Sequence, residues 1–72
     1  MKEFDIEEAK AGKPVCTRDG RPVRIICWNV KDEIAPILAL VTEKDKEVPY
    51  LYLKDGRMYV NETHFPRDLM MK

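Results

Sequence analysis

PVCTRDGRPVRIICW, residues 14–28, sets an Asp-Gly pair between two runs of strand-forming residues. Such a pair favours a two-residue type I′ reversal, in which both central residues take positive φ. With Asp19-Gly20 as the loop, Arg18 faces Arg21, Thr17 faces Pro22, Cys16 faces Val23 and Val15 faces Arg24. The pair flanking such a loop is hydrogen-bonded, so Pro22 falls where its missing N–H breaks no bond of the hairpin. The same device recurs in VPYLYLKDGRMYVN, residues 48–61, around Asp55-Gly56. There Leu53 opposes Met58 and Leu51 opposes Val60 on the inward face. Tyr52 opposes Tyr59 on the other face, with Tyr50, Lys54, Arg57 and Asn61.

Upstream of the first reversal the period is helical. Asp5 is placed as N-cap, Glu8 three positions on closes a capping box, and Phe4 and Ala9 occupy the staple positions. Glu7 and Glu8 lie in the first turn and Lys10 in the last, each complementing the helix dipole. Gly12 is the left-handed terminator and Pro14 blocks continuation. A helix over residues 5–11 is too short to stand alone and must dock Phe4, Ile6 and Ala9 on an apolar surface.

Between the two hairpins lie a polar loop, residues 29–35, and the nearly all-apolar strand PILALVT, residues 36–42. A strand without alternation is expected at the centre of a sheet with both faces covered. EKDKE, residues 43–47, reads as an exposed loop. The expected fold is mainly β: a five-stranded antiparallel meander curled into a small barrel or half-barrel, with a short N-terminal helix. Its strands fall at about 14–18, 21–28, 36–42, 48–54 and 57–61. The core draws on Val23, Ile25, Cys27, Ile37, Ala39, Val41, Leu51, Leu53, Met58 and Val60. Leu38 and Leu40 are equally apolar, so the inward face of the third strand stays open. In the tail, residues 62–72, Phe65, Leu69 and Met70 are available to cover one end of the core.

Composition bounds the function. With 72 residues the chain is a single small domain, since a chain this short buries only about 60% of its unfolded surface. Thirteen basic and thirteen acidic side chains cancel, which removes the simple electrostatic case for nucleic acid. No apolar run approaches the roughly 20 residues of a membrane span, and MKEFDIEE is not a secretory signal, so a cytoplasmic protein with reduced thiols and no membrane partner is expected.

Enzyme signatures are sparse. The chain has no serine and one histidine, His64, so neither a serine nucleophile nor a His-pair metal site can form within one chain. Cys16 and Cys27 lie on opposite strands, and a disulfide between them contradicts the hairpin. A thiol of either with His64 as base makes a cysteine enzyme a remote alternative to the ordinary role of free cysteines as small core hydrophobes. The three glycines each have a turn or a cap to explain them, so no phosphate-cradling loop is present. Asn61-Glu62-Thr63 matches a glycosylation sequon that has meaning only in a secreted protein. No catalytic residue, cofactor or metal is expected.

One constellation stands out. Arg18-Asp19-Gly20-Arg21 and Lys54-Asp55-Gly56-Arg57 repeat a pattern at two hairpin tips, beside the stripe Tyr50, Tyr52, Tyr59. Aromatic rings interleaved with cations on an open sheet face make a stacking platform for single-stranded nucleic acid. The same cations suit carboxylate or phosphate groups of another partner. The plainer reading is that Asp19 and Asp55 neutralise their neighbours and the tyrosines are ordinary strand formers, or pack under the helix. Ile26 and Trp28 share a face with Val15 and Thr17, which makes Trp28 either the helix docking site or a dimer contact.

AKAGKPVCTRDGRPVRII (residues 9–26), then PILALV and later YLYLKDGRMY, resembles a family of small uncharacterised proteins of phages, prophages and gut Bacteroidetes. That family is written A-K-x-G-x-P-V-x-T-R-D-G-R-x-V-R-I, followed by a P-I-x-A/G-L/V strand and a late D-G turn. The resemblance covers roughly residues 4 to 60 and implies a mobile-element-associated accessory domain; it brings no catalytic, cofactor or substrate residue. The expected function is therefore non-enzymatic binding, through a protein partner or a homodimer. Single-stranded nucleic acid held by Tyr50, Tyr52, Tyr59, Lys54, Arg57, Arg18 and Arg21 is the alternative.

Overall fold

The computed structural model describes all of residues 1–72. It contains β1 (Lys2–Glu3), α1 (Ile6–Lys10), β2 (Val15–Thr17), β3 (Val23–Cys27), β4 (Ile37–Glu43), β5 (Lys46–Tyr52) and β6 (Leu69–Met71). The strands form two three-stranded antiparallel sheets, β1-β6-β2 and β3-β4-β5. The mainly-β, antiparallel expectation holds. The five-strand meander does not: the barrel is open, β1 and β6 are additional strands, and residues 57–61 form no strand.

The helix is capped at both ends where its punctuation implies, but the capping box is only half closed: the Glu8 carboxylate turns to lysines and takes no bond from the Asp5 amide. Asp5 accepts from the Glu7 and Glu8 amides at 3.0 and 3.1 Å. At the other end Lys13 N–H donates to Glu8 C=O and Gly12 N–H to Ala9 C=O, with Gly12 at φ +97°, a Schellman closure. The Glu8 carboxylate pairs with Lys2 and Lys13.

Both Asp-Gly reversals differ from expectation in the same way. Gly20 N–H donates to Thr17 C=O and Thr17 N–H to Arg21 C=O, both at 2.9 Å. Gly56 repeats this with Leu53, and Leu53 with Arg57, at 2.9 and 2.8 Å. Only the glycines take positive φ, +89° and +88°; Asp19 and Asp55 do not. These are three-residue loops, a type I turn closed by a left-handed glycine. They avoid placing an aspartate at positive φ, which a type I′ turn requires. The register therefore moves by one: Cys16 faces Pro22, and Arg18 sits inside the turn rather than opposite Arg21. The two-residue loop of the molecule lies instead at Lys44-Asp45, inside the stretch read as an exposed loop, with Lys44 at φ +60° and Glu43 paired to Lys46.

One apolar cluster joins the layers: Val15, Leu69 and Met71 from one sheet, Ile37, Ala39, Val41 and Tyr52 from the other, and Ala9 from α1. Ile37, Ala39, Val41 and Leu53 are buried as expected. Leu51 and Val60, expected inside, are 39% and 55% exposed. The outward turn of Leu51 follows from Tyr52 facing in, where its hydroxyl donates to Arg67 C=O at 2.7 Å. A bulge between Ile25 and Cys27 shifts the alternation of β3. Trp28 thereby packs against the core, beside Val23 and Ile25, and Cys27 stays outside that cluster, opposite Leu38. Lys10 Nζ lies 5.7 Å from the Trp28 ring centroid, so helix docking is what Trp28 does.

Residues 65–71 lock the layers together. Arg18 N–H donates to Asp68 C=O, Asp19 N–H to Pro66 C=O and Leu69 N–H to Gly56 C=O, at 2.8, 3.1 and 2.8 Å. The buried Asp68 carboxylate accepts from the amides of Met58 and Phe65, both at 3.1 Å. Arg67 joins Glu43, at 2.8 Å, to Asp19. Its hydrogen bond, seconded by the Tyr50 hydroxyl at 2.6 Å, holds the Glu43 carboxyl down at about 2, against an ordinary 4.5. Burial works against the charge of Asp19, but the Thr17 hydroxyl, Arg67 and Arg21 outweigh it and keep that carboxyl below its usual range.

Two expectations follow. Gly20→Ala meets no atom and bears only the cost of positive φ, about 1–2 kcal/mol. Gly56→Ala adds a Cβ 2.8 Å from the Phe4 side chain and should lose about 2–4 kcal/mol. Urea midpoints of the two variants measure the gap, and equal losses would remove the close approach of Phe4 from the account. A depressed folded-state pKa means that the unfolded chain binds the proton first. Stability supplied by Glu43 is therefore complete above pH 4.5 and disappears as pH falls toward about 2. Across that window the urea midpoint of the native chain should drop further than that of Glu43→Gln; parallel curves would argue against the Arg67–Glu43 link.

Candidate functional site

The structure divides the expected tyrosine stripe. Tyr52 is 0% exposed, Tyr50 is half-buried with its hydroxyl on Glu43, and Tyr59 is 48% exposed. Burial, more than any neighbouring charge, raises the Tyr52 hydroxyl far above its ordinary pKa. Tyr50 and Tyr52 meet edge-on with centroids 6.4 Å apart, while Tyr59 stacks edge-on against Phe65 at 5.2 Å. An open platform of three rings therefore does not exist. Its cause is the shifted register at Gly56, which ends the pairing before Tyr59 can lie beside Tyr52. What remains is a cleft of about 390 Å³ between Tyr50, Met58, Tyr59, Phe65 and Pro66, with Arg67 at its wall. That arginine is already committed to Glu43 and Asp19.

The basic residues of the two tips separate into three groups. Arg21 is held by Asp19, Nε to Oδ2 at 3.2 Å, and Lys54 is exposed and makes no ion pair. Arg57 donates from Nε to Asp55 Oδ2 at 2.7 Å and from Nη1 to Val60 C=O at 3.1 Å. Arg18 makes no side-chain hydrogen bond or ion pair, and its Nε is buried without a partner. Arg18 and Arg57 line one cleft of about 280 Å³, although they are 39 positions apart in the sequence. Thr63 and His64 complete its polar wall, Asp55 and Glu3 supply carboxylates, and Phe4 an apolar side. His64 stands at φ +61°, with Nδ1 at 3.2 Å from the Thr63 hydroxyl. The tips converge there because residues 66–69 bond to both reversals.

The thiols lie elsewhere. Cys16 is buried in β2, and Cys27 Sγ sits 3.1 Å from Asn29 Oδ1. Neither lines a cleft with His64. No group of three or more His, Cys, Asp or Glu side chains is arranged to hold a metal ion.

A second surface was hidden in the strand read as covered on both faces. The outer face of the sheet β3-β4-β5 presents Ile26, 50% exposed, and Leu51, 39% exposed, around the half-buried Leu38 and Leu40. Register places Leu38 beside Leu51 and Leu40 beside Pro49. Arg24 and Glu47 bridge across this face with two hydrogen bonds, 2.7 and 2.8 Å. The signal in the sequence is Leu38-x-Leu40, whose face the pattern leaves open, together with Leu51, which the pattern places inside.

No helix of the protein is long and apolar enough to cross a membrane. No curated protein and no solved structure matches the chain. Residues 1–70 match the family of Haemophilus phage HP1 protein YO09, which agrees with the expected phage association; the chain belongs to that family.

Proposed function

We propose that this phage-family protein works without catalysis, as an accessory domain of a mobile element, by associating with a second copy of itself. The observation that carries the reading is the apolar outer face of β3-β4-β5, where Ile26 and Leu51 stay exposed beside half-buried Leu38 and Leu40 and the Arg24–Glu47 bridge. Exposed apolar patches of this kind mark interaction surfaces.

A second copy fits the charges. The formal net charge is zero, so no long-range repulsion opposes two copies meeting. A two-fold axis along β4 lays each copy's β3 over the other's β5. Arg24 of one copy then approaches Glu47 of the other, and the leucines meet between them, as an isologous interface requires. The area sets the strength. Seven residues each in β4 and β5 and five in β3, at about 3.3 Å per residue and about 4.8 Å between strands, give a face of roughly 300 Å². A standard interface buries about 800 Å² per partner, so the dimer is weak and concentration-dependent. Single-stranded nucleic acid is the poorer reading, because Tyr52 has no surface left on which a base can stack.

Sedimentation over a concentration series tests this. The mass should rise from 8.5 kDa toward twice that value as the protein enters the millimolar range. Leu51→Glu alters an exposed position, should leave the fold intact and should hold the mass at 8.5 kDa throughout. A native chain that stays monomeric to millimolar concentration overturns the reading.

A further inference from the structure

The cleft between the two reversals carries more hydrogen-bond donors than the protein itself uses. The Arg18 guanidinium is unspent, with its Nε already stripped of water and left without an acceptor. Its Nη1 and Nη2 are also without acceptors but are not buried, and they are the donors that a ligand in the cleft can reach. Arg57 spends Nε on Asp55 and one contact on Val60 C=O, and its remaining N–H groups are unassigned. The Thr63 hydroxyl and the His64 imidazole stand on the same wall. We propose that Arg18, Arg57, Thr63 and His64 form a binding site for a phosphate group.

Donor number selects the ligand class. A guanidinium fork already matches a carboxylate by itself. The open Nη groups of Arg18, the N–H groups that Arg57 does not spend on Asp55 and Val60, and the Thr63–His64 pair come from three chain segments, which suits the several oxygens of a phosphate better than the two of a carboxylate. A volume of about 280 Å³ admits that group with part of its substituent, for which Phe4 offers an apolar wall. Two carboxylates stand against the anion. Asp55 is neutralised by Arg57, and Glu3 has no ion pair, so Glu3 limits the affinity. The site is independent of the sheet face proposed for dimerisation, and its residues come from the reversals and from segment 63–64.

The experiment is a titration of ¹⁵N-labelled protein, following the Arg18 and Arg57 Nε resonances. Its probes are inorganic phosphate, acetate, and one short single-stranded oligonucleotide with and without a 5′-phosphate. Saturable shifts with phosphate but not acetate are expected, with affinity at least tenfold weaker in R18Q and stronger in E3Q. The Arg18 side chain has no partner to lose, so R18Q should keep its urea midpoint and its sedimentation behaviour. Tighter binding of the 5′-phosphorylated strand than of free phosphate, with none of the unphosphorylated strand, identifies a nucleic-acid end as the source. Equal binding of free phosphate identifies a small phosphate compound. Absence of a saturable shift, equal shifts with acetate, or unchanged affinity in R18Q overturns the proposal.

Discussion

The rest of the molecule depends on a short run of backbone, residues 65–69, passing between two tight reversals and bonding to both. Pro66 and Asp68 carbonyls take the amides of Asp19 and Arg18, and Leu69 N–H reaches Gly56 C=O. Tyr52 adds its hydroxyl to Arg67 C=O from inside the core. At the centre is a carboxylate with almost no water, Asp68, which is tolerable only because two backbone amides donate to it. Those amides belong to Met58 and Phe65, so one side chain orders the stretch between the last reversal and β6. A 72-residue chain has little interior to spend, and bonds that are hard to replace with water decide its shape.

How far the sequence reveals this follows from where each signal acts. Helix α1 is set by residues within a few positions of each other, and Asp5 and Gly12 work as read. The reversals were located correctly but closed by three residues rather than two, since only glycine takes the left-handed conformation cheaply. Pro22 could not expose the error. Its lack of an N–H is harmless in either register, because both leave it at a non-hydrogen-bonded position. In Leu51-Tyr52-Leu53 apolar residues occupy both faces, so period 2 cannot choose between them. The choice falls to the Tyr52 hydroxyl, which finds an acceptor 15 positions away.

The candidate site was half legible for the same reason. The two tetrads are conspicuous as text, yet their local rule pairs each aspartate with the arginine two places on, Arg21 and Arg57. Nothing local says that Arg18 stays unpaired, or that it comes to share a cleft with Arg57; both depend on the docking of residues 65–69. The outer sheet face reversed the usual problem. The apolar strand is visible at once, and the inference that both its faces are covered is sound for a central strand of a larger domain. Here no second layer exists to cover Leu38 and Leu40, so the strand is central in its sheet and open on one side.

These two surfaces bear differently on stability. Covering the sheet face removes apolar area from water and adds the same increment to each copy, so association and folding rise together with concentration. The cleft works through the reversals. In the free protein two arginines face one cavity, and one of them has a desolvated nitrogen with nothing to donate to. An anion there supplies acceptors for the unbonded Nη groups of Arg18 and offsets its charge, against the opposing carboxylate of Glu3. Because Arg18 and Arg57 are held in place by the two reversals that residues 66–69 tie together, occupancy of the cleft tightens the clamp on which the fold rests. Ligand binding and the cohesion of the two sheets are thus linked through the same backbone bonds, from Arg18 to Asp68 and from Leu69 to Gly56.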